Sequence, residues 1–290
     1  MTGAVLALTS ALFFAISSAL AKNAAHRIGS VVLVTTRLVS SAIFAVLIAV
    51  FTGNLELVLE VPANIFLLLV ASGVIMVTGH LMFVKAMALD DVSRVLPATT
   101  GLYIFMSMLF SILLDIESIS PQIILGGTIV LLGVYLLSTR QSQSTNNTLP
   151  RLSFKTFILT LGTSVTWAIG VIVMDTVVNH LNPIPASAIR VCLMAMIAVG
   201  LAASTGKLRV DRLSKFDLLI IWSSGFALGA SILTFVAALT WSTPATVVIL
   251  NSTAPFFLVP ISIICLKEKF NLKIATGIIA CFLGILLTLT

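Results

Sequence analysis

The chain consists of long apolar runs separated by short polar segments. A helix needs about 20 apolar residues to cross the hydrocarbon core of a bilayer. The pattern predicts ten transmembrane helices, joined by loops so short that consecutive helices are antiparallel neighbours. The ten runs cover residues 3–21, 31–52, 64–86, 93–114, 121–138, 155–174, 184–204, 216–239, 244–265 and 273–289.

The longest polar segment, residues 139–154, separates two halves that resemble each other in sequence. The halves align at an offset of 153 residues near their starts, and the offset falls to 151 by the fifth run. A duplicated unit therefore predicts two five-helix repeats, at 1–138 and 155–290, joined by a polar connector at 139–154. Matched pairs include Ala15 with Ala168, Arg37 with Arg190, Gly53 with Gly206, Phe83 with Phe235, and Gly126 with Gly277.

An odd number of helices per repeat gives the second repeat the opposite orientation in the membrane. The predicted fold is an all-α polytopic membrane protein of ten transmembrane helices in a 5+5 inverted-topology repeat, which is typical of transporters. Of the 16 lysine and arginine residues, 14 fall on one predicted face, none falls on the other, and two lie within helices. The positive-inside rule then predicts a cytoplasmic connector and two termini outside.

Composition agrees with a membrane location and argues against other classes of protein. Charged residues make up 9% of the chain, against about 25% in soluble domains. The basic residues stand singly between apolar runs, so no nucleic-acid partner is predicted. The three cysteines lack metal-ligand spacing, and no metal or other cofactor is expected. No motif of a known hydrolase or nucleotide-binding enzyme is present, so we predict that the chain is not an enzyme.

Polar residues inside three of the runs are candidates for contact with a solute. His80 is the only histidine away from a predicted loop, and histidine is the side chain whose charge ordinarily changes near neutral pH. Thr99 and Tyr103 lie in the fourth run and Asn251 in the ninth, and both runs contain a proline. Two irregular polar patches at matched depths are typical of transporter binding sites. Alternatively, these side chains only pack, and the small ones let helices approach closely.

Cations and aromatic rings inside the runs form a second set of candidates. Arg37 and Arg190, early in the second and seventh runs, either contact an anionic group of a solute or extend to helix ends. Lys85 either faces the same cavity as His80 or reaches the cytoplasmic surface. Trp167 either lines a cavity or packs in the core. Carboxylates fall only at helix ends, which disfavours a carboxylate-driven exchanger of lipophilic cations.

Glycines recur at heptad spacing in the last helix of each half. Gly126 and Gly133 in the fifth run match Gly277 and Gly284 in the tenth. Small residues at this spacing let helix backbones come close together. We therefore predict close-packing faces on the fifth and tenth helices.

Taken in order, these features resemble the EamA-type carriers of the drug/metabolite transporter superfamily over essentially the whole chain. Tyr103 departs from the family pattern because it takes the place of a proline, and Asp175 departs from it because it replaces a lysine. The features that carry the resemblance are the stretches FFAISSALAK (13–22) and TWAIGVIVMD (166–175), Arg37 and Arg190, the Ala-Leu ends of the third and eighth runs, the Ala254-Pro255 pair, and Glu117 and Glu268 before the last helix of each half.

The resemblance implies a carrier of the inner (plasma) membrane, often an exporter of amino acids or other small metabolites. It also implies a central cavity built from helices one to four and six to nine, with helices five and ten at the periphery. Members of the family are commonly drawn with cytoplasmic termini, which is the reverse of the orientation that the charge bias of this chain predicts.

Together, these observations predict a secondary transporter that moves a small zwitterion or anion across the lipid bilayer by alternating access around a midplane site. Passive uniport and lipid flipping are alternatives within transport. A receptor or assembly factor that moves nothing, and an intramembrane enzyme, are alternatives of other classes. The sequence leaves open whether the chain works alone or as a homodimer. The predicted site residues are His80, Thr99, Tyr103, Trp167 and Asn251, with Arg37 or Lys85 as the cation.

Overall fold

A computed structural model describes residues 1–25, 29–89, 92–138, 153–206, 214–257 and 272–289 of the chain. These residues form helices joined by turns and short loops, and no strand occurs among them. The helices are α1 (Thr2–Ala25), α2 (Ser30–Phe51), α3 (Leu55–Leu59), α4 (Ala63–Leu89), α5 (Val92–Leu113), α6 (Pro121–Ser138), α7 (Phe154–Val178), α8 (Pro183–Ser204), α9 (Lys215–Leu239), α10 (Pro244–Asn251) and α11 (Leu272–Leu289).

Six of these helices, α1, α2, α4, α7, α8 and α9, are long and apolar enough to cross a membrane, so the chain is a multi-pass membrane protein. Four shorter apolar helical stretches lie within the other predicted runs. The short helix α3 was not predicted, because its five residues carry no span of their own. The end of the predicted ninth run and residues 139–152 of the polar connector lie outside the described residues.

Local sequence signals set many of the helix ends. Gly53 and Gly206 follow α2 and α8 with φ angles of +69° and +62°, a backbone conformation that glycine adopts without steric cost. The Ser153 hydroxyl accepts the Thr156 N–H at the start of α7, and the Asn182 side chain does the same for Ile184 at the start of α8. Each glycine thus closes the second helix of its half.

The helices pair across the two halves of the chain. α1 packs along α9, and their sequence counterparts α7 and α4 pack along each other. α2 packs against its own counterpart α8, and α6 against α11. The largest buried apolar cluster draws residues from all the helices except α2 and α3, so both halves share one core.

The α6–α11 contact depends on glycine. A Cβ atom on Gly126 would lie 2.9 Å from the carbonyl oxygen of Gly284, and one on Gly133 would lie 2.9 Å from the carbonyl oxygen of Gly277. Real side chains essentially never come so close to a backbone atom, so these backbones touch directly. The predicted close-packing faces are confirmed.

The fourth and ninth runs, in which a proline accompanies polar residues, behave differently. Helix α10 ends at Asn251, and Ser252 and Thr253 form a turn before Pro255, which has no N–H with which to continue the helix. Helix α5 is continuous, because Tyr103 at the matched position keeps its N–H. The expectation of two irregular patches is therefore correct for α10 and wrong for α5.

Candidate functional site

Three aromatic rings surround the indole of Trp167 on α7, and we call these four residues the Trp167 cluster. The indole centroid lies 5.5 Å from that of His80, 5.2 Å from that of Phe83 and 5.8 Å from that of Tyr103. His80 and Phe83 come from α4 and Tyr103 from α5, so the cluster joins helices of both halves. These rings are partly or largely buried and present one apolar surface with polar edges.

The cluster fits together because residue 79 has no side chain. A Cβ atom on Gly79 would lie 2.8 Å from Cδ1 and 2.9 Å from Nε1 of Trp167. The indole therefore lies against the backbone of α4, and this position brings it to the ring of His80. The sequence alone gave no reason to single out Gly79.

His80 is oriented by a bond to its own helix. Its Nδ1 lies 2.8 Å from the carbonyl oxygen of Met76. A carbonyl can only accept, so Nδ1 carries the proton, and Nε2 of the neutral ring is left as an acceptor. The Tyr103 hydroxyl has no hydrogen bond to any residue in the described ranges. Both rings thus keep a polar atom for another partner.

Thr99 lies beside the cluster but uses its polar groups locally. Its hydroxyl donates to the Val95 carbonyl at 2.8 Å, and its own carbonyl accepts from the Ser164 hydroxyl at 3.0 Å. Ser164 lies one helical turn before Trp167, so this bond ties α5 to α7 next to the indole. The geometry gives Thr99 a positioning role, and its side chain is 1% exposed.

Four serines between α1 and α9 form a second polar feature, which we call the serine seam. The hydroxyls of Ser10 and Ser231 each donate to the other residue's carbonyl, at 2.8 and 2.9 Å. One heptad further, Ser17 and Ser224 repeat this exchange at 2.6 and 2.8 Å. The four side chains are buried, so the seam fastens the two helices from inside.

Two predicted site residues contact the serine seam. The Asn251 amide nitrogen donates to the Ser10 hydroxyl at 2.8 Å, which leaves the amide oxygen of this residue at the break after α10 as a free acceptor. The Arg37 guanidinium donates to the Ser17 hydroxyl at 2.7 Å. Arg37 is therefore held by the seam.

The other cations differ from Arg37. Arg190 on α8 is 3% exposed and makes no hydrogen bond to any residue in the described ranges, whereas Arg37 has its bond to Ser17; the Nε atoms of both arginines are buried and unpaired there. Both arginines lie within electrostatic range of His80, and Arg190 also lies within range of Tyr103. Lys85, five residues after His80 on α4, is exposed on the outside of the chain.

The structure thus gathers some of the predicted site residues and separates others. His80, Tyr103 and Trp167 form one cluster with Thr99 beside it, whereas Asn251 and Arg37 contact the serine seam and Lys85 contacts neither. Sequence reasoning missed Phe83 and the seam, although the heptad spacing of the seam serines within α1 and within α9 was a visible signal. Within the described ranges, no three histidine, cysteine or acidic side chains gather into a group that could hold a metal ion.

Comparison with known proteins extends this picture. The model of the EamA-like transporter family matches the chain twice, at residues 1–139 and 154–290. A solved structure titled "Crystal structure of protein" has a similar fold, with a TM-score of 0.80 over 98% of this chain and 95% of that one, at 13% sequence identity. A search of curated proteins gives no significant match.

Proposed function

Because the chain belongs to the EamA-like transporter family, we propose that it is a secondary transporter that exports small metabolites such as amino acids. The observation that carries this proposal is the Trp167 cluster. It brings rings from both halves of the chain together among the helices and leaves the His80 Nε2 atom and the Tyr103 hydroxyl without a hydrogen-bond partner among the described residues. An apolar wall with a few free polar atoms is typical of sites that bind small molecules.

We propose alternating access as the mechanism, with two five-helix repeats of inverted topology at 1–138 and 155–290. The reciprocal packing of α1 with α9 and of α7 with α4 supports a two-fold relation between the repeats. The six long and four shorter apolar helical stretches support ten transmembrane helices. In such folds, one bundle rocks against the other around a fixed midplane site.

The proposed site is formed by His80, Thr99, Tyr103, Trp167 and Asn251. The rings would contact the apolar part of the solute, and the free acceptors of His80 and Asn251 would face a donor such as an ammonium group. Arg37 and Lys85 were the predicted cations for the opposite charge, so the proposed solute is a small zwitterion or anion. Neither a cofactor nor a catalytic residue is part of this proposal. The proposed mechanism needs only one chain and is also compatible with a homodimer.

For the membrane orientation, we propose an inner (plasma) membrane location with the connector 139–154 in the cytoplasm and both termini outside. The charge bias of 14 basic residues to none supports this orientation. A cysteine-reactive, membrane-impermeant label on intact cells tests it. Labelling of a terminal cysteine, but not of a connector cysteine, is the expected result, and the reverse pattern would reverse the proposed orientation.

The test of transport is flux of labelled amino acids into proteoliposomes, with and without a pH gradient. Saturable flux is expected, and replacement of His80 or Asn251 by Ala should raise the half-saturating concentration at least several-fold while leaving expression intact. Lys155→Gln, an exposed change at the start of α7, is the matched control. Absence of saturable flux for any metabolite class with correctly folded protein would contradict transport.

A further inference from the structure

The two pseudo-equivalent arginines have different surroundings. Arg37 is partly exposed and donates to the hydroxyl of Ser17 in the serine seam. Arg190 is 3% exposed and makes no hydrogen bond to any residue in the described ranges. The symmetry of the sequence therefore does not extend to the bonding of the two guanidinium groups.

A buried cation without a partner needs an explanation. Desolvating a guanidinium is costly, and buried charges in proteins are ordinarily paired or hydrogen-bonded. Arg190 is seven residues into α8, too deep for its charge to be placed simply at the end of the helix. An acceptor that binds here and leaves again during transport would account for an arginine that lacks a permanent partner.

The surroundings of Arg190 contain further free donors. The Ser187 hydroxyl, one turn earlier on α8, is fully buried and has no hydrogen-bond partner in the described part of the chain. The Tyr103 hydroxyl also has none in the described ranges, and Tyr103 lies within electrostatic range of Arg190. Three donor groups, on Arg190, Ser187 and Tyr103, thus have no hydrogen-bond partner in the described ranges.

We propose that Arg190, and neither Arg37 nor Lys85, binds the carboxylate of a small solute whose apolar side group contacts the Trp167 cluster. The guanidinium fork matches a carboxylate geometrically, and the charge-assisted pair is strongest where water is excluded. The inference deepens the proposed function and rests on it. It makes Arg190 a specificity residue that distinguishes an acid from its neutral amide.

The experiment measures binding of L-phenylalanine and L-phenylalaninamide to the purified protein by equilibrium dialysis. The two probes share the ammonium group and the ring and differ only at the carboxylate. The wild type is expected to bind the acid at least tenfold more tightly than the amide. Arg190→Gln should reduce this ratio to about one, because it removes the charge but keeps a polar side chain of similar length.

Further variants keep the inference testable if Arg190→Gln folds poorly. Arg190→Lys keeps the positive charge but loses the paired N–H donors of the guanidinium, so this variant should retain part of the preference for the acid. Lys155→Gln should retain all of it. A preference for the acid that survives in Arg190→Gln or disappears in Arg37→Gln would overturn the assignment, and so would a wild type that binds neither probe or binds both equally.

The flux assay separates this inference from the proposed function. If the wild type binds the acid through Arg190 but transports no solute, the carboxylate site stands and the transport proposal fails. If the wild type transports solutes but does not prefer the acid, the transport proposal stands and the role of Arg190 fails.

Discussion

The Thr166 hydroxyl and the indole of Trp167 both lie so close to α4 that only glycine fits at position 79. An alanine there would place its Cβ 2.8 Å from the indole Cδ1, and the ring would have to move away from His80. Over-packing of this kind typically costs about 1–3 kcal/mol of stability. We expect Gly79→Ala to lower the melting temperature in detergent, to shift the tryptophan emission and to weaken solute binding about tenfold.

The control for this substitution lies on the same helix. A Cβ atom on Gly73 would lie 3.5 Å from the Leu193 Cβ, which is an ordinary contact, so Gly73→Ala should change neither the emission nor binding. If the two alanine variants behave alike, displacement of Trp167 is not the cause of the changes in emission and binding.

At the scale of single residues, the sequence predicted the aromatic candidates for the site. It could not predict how the side chains of Arg190 and Arg37 are hydrogen-bonded, because that depends on which residues folding brings together.

At the scale of helices, the serine seam offers a comparison within one molecule. Ser224 on α9 and its sequence counterpart Ser72 on α4 are both fully buried serines. Ser224 exchanges hydrogen bonds with Ser17, whereas the Ser72 hydroxyl has no partner. A bond of this type contributes about 1 kcal/mol, and in membranes measured values average about 0.6 kcal/mol.

We therefore expect Ser224→Ala to lower the free energy of unfolding in detergent by about 1 kcal/mol. Ser72→Ala should leave it unchanged or raise it slightly, because the lost hydroxyl was buried without a partner. Equal losses in the two variants would show that serine volume, and not bonding, stabilises these helices. Denaturant titration followed by circular dichroism measures both.

Helices were the most predictable level of this structure. Apolar runs located them, and glycines and prolines marked their ends, because these signals act within a few residues. Helix α3 escaped prediction because it is too short to carry a span. The continuity of α5 could not be judged from Pro97 alone, because a helix tolerates proline when its surroundings satisfy the freed carbonyl.

At the scale of the whole molecule, the duplication makes two helix pairs, α1 with α9 and α7 with α4, counterparts of each other in sequence. Their bonding is not equivalent. The α4–α7 contact has one long bond, from the Thr163 hydroxyl to the Gly79 carbonyl at 3.4 Å, at the level where α1 and α9 exchange two. At the next level Gly170 replaces a serine, and the Ser72 hydroxyl is unpaired. The difference follows from Gly79 and Gly170, each of which takes the place of one serine of the seam and lacks its hydroxyl.

This difference in hydrogen bonding predicts which of the two helix contacts separates during alternating access. Opening the α1–α9 contact would leave buried hydroxyls and carbonyls unpaired at two levels, whereas opening the α4–α7 contact would break one long bond at these levels. A disulfide at Ser17→Cys/Ser224→Cys, whose present hydroxyl oxygens are 3.3 Å apart, should therefore leave most of the flux intact. A disulfide at Met76→Cys/Gly170→Cys should abolish flux.

Both pairs would be placed in a chain whose three native cysteines are replaced by alanine. A Cβ atom at position 170 would lie 3.1 Å from the Met76 Cγ, close to where the sulfur of a cysteine at 76 would be, so this pair can also form a bond. Reducing each variant before the flux assay separates the effect of the cross-link from that of the substitutions. A contact that stays closed throughout the transport cycle tolerates a covalent cross-link, whereas a contact that must open does not. Loss of flux on oxidation of the α1–α9 pair alone would therefore show that the serine seam is the contact that opens.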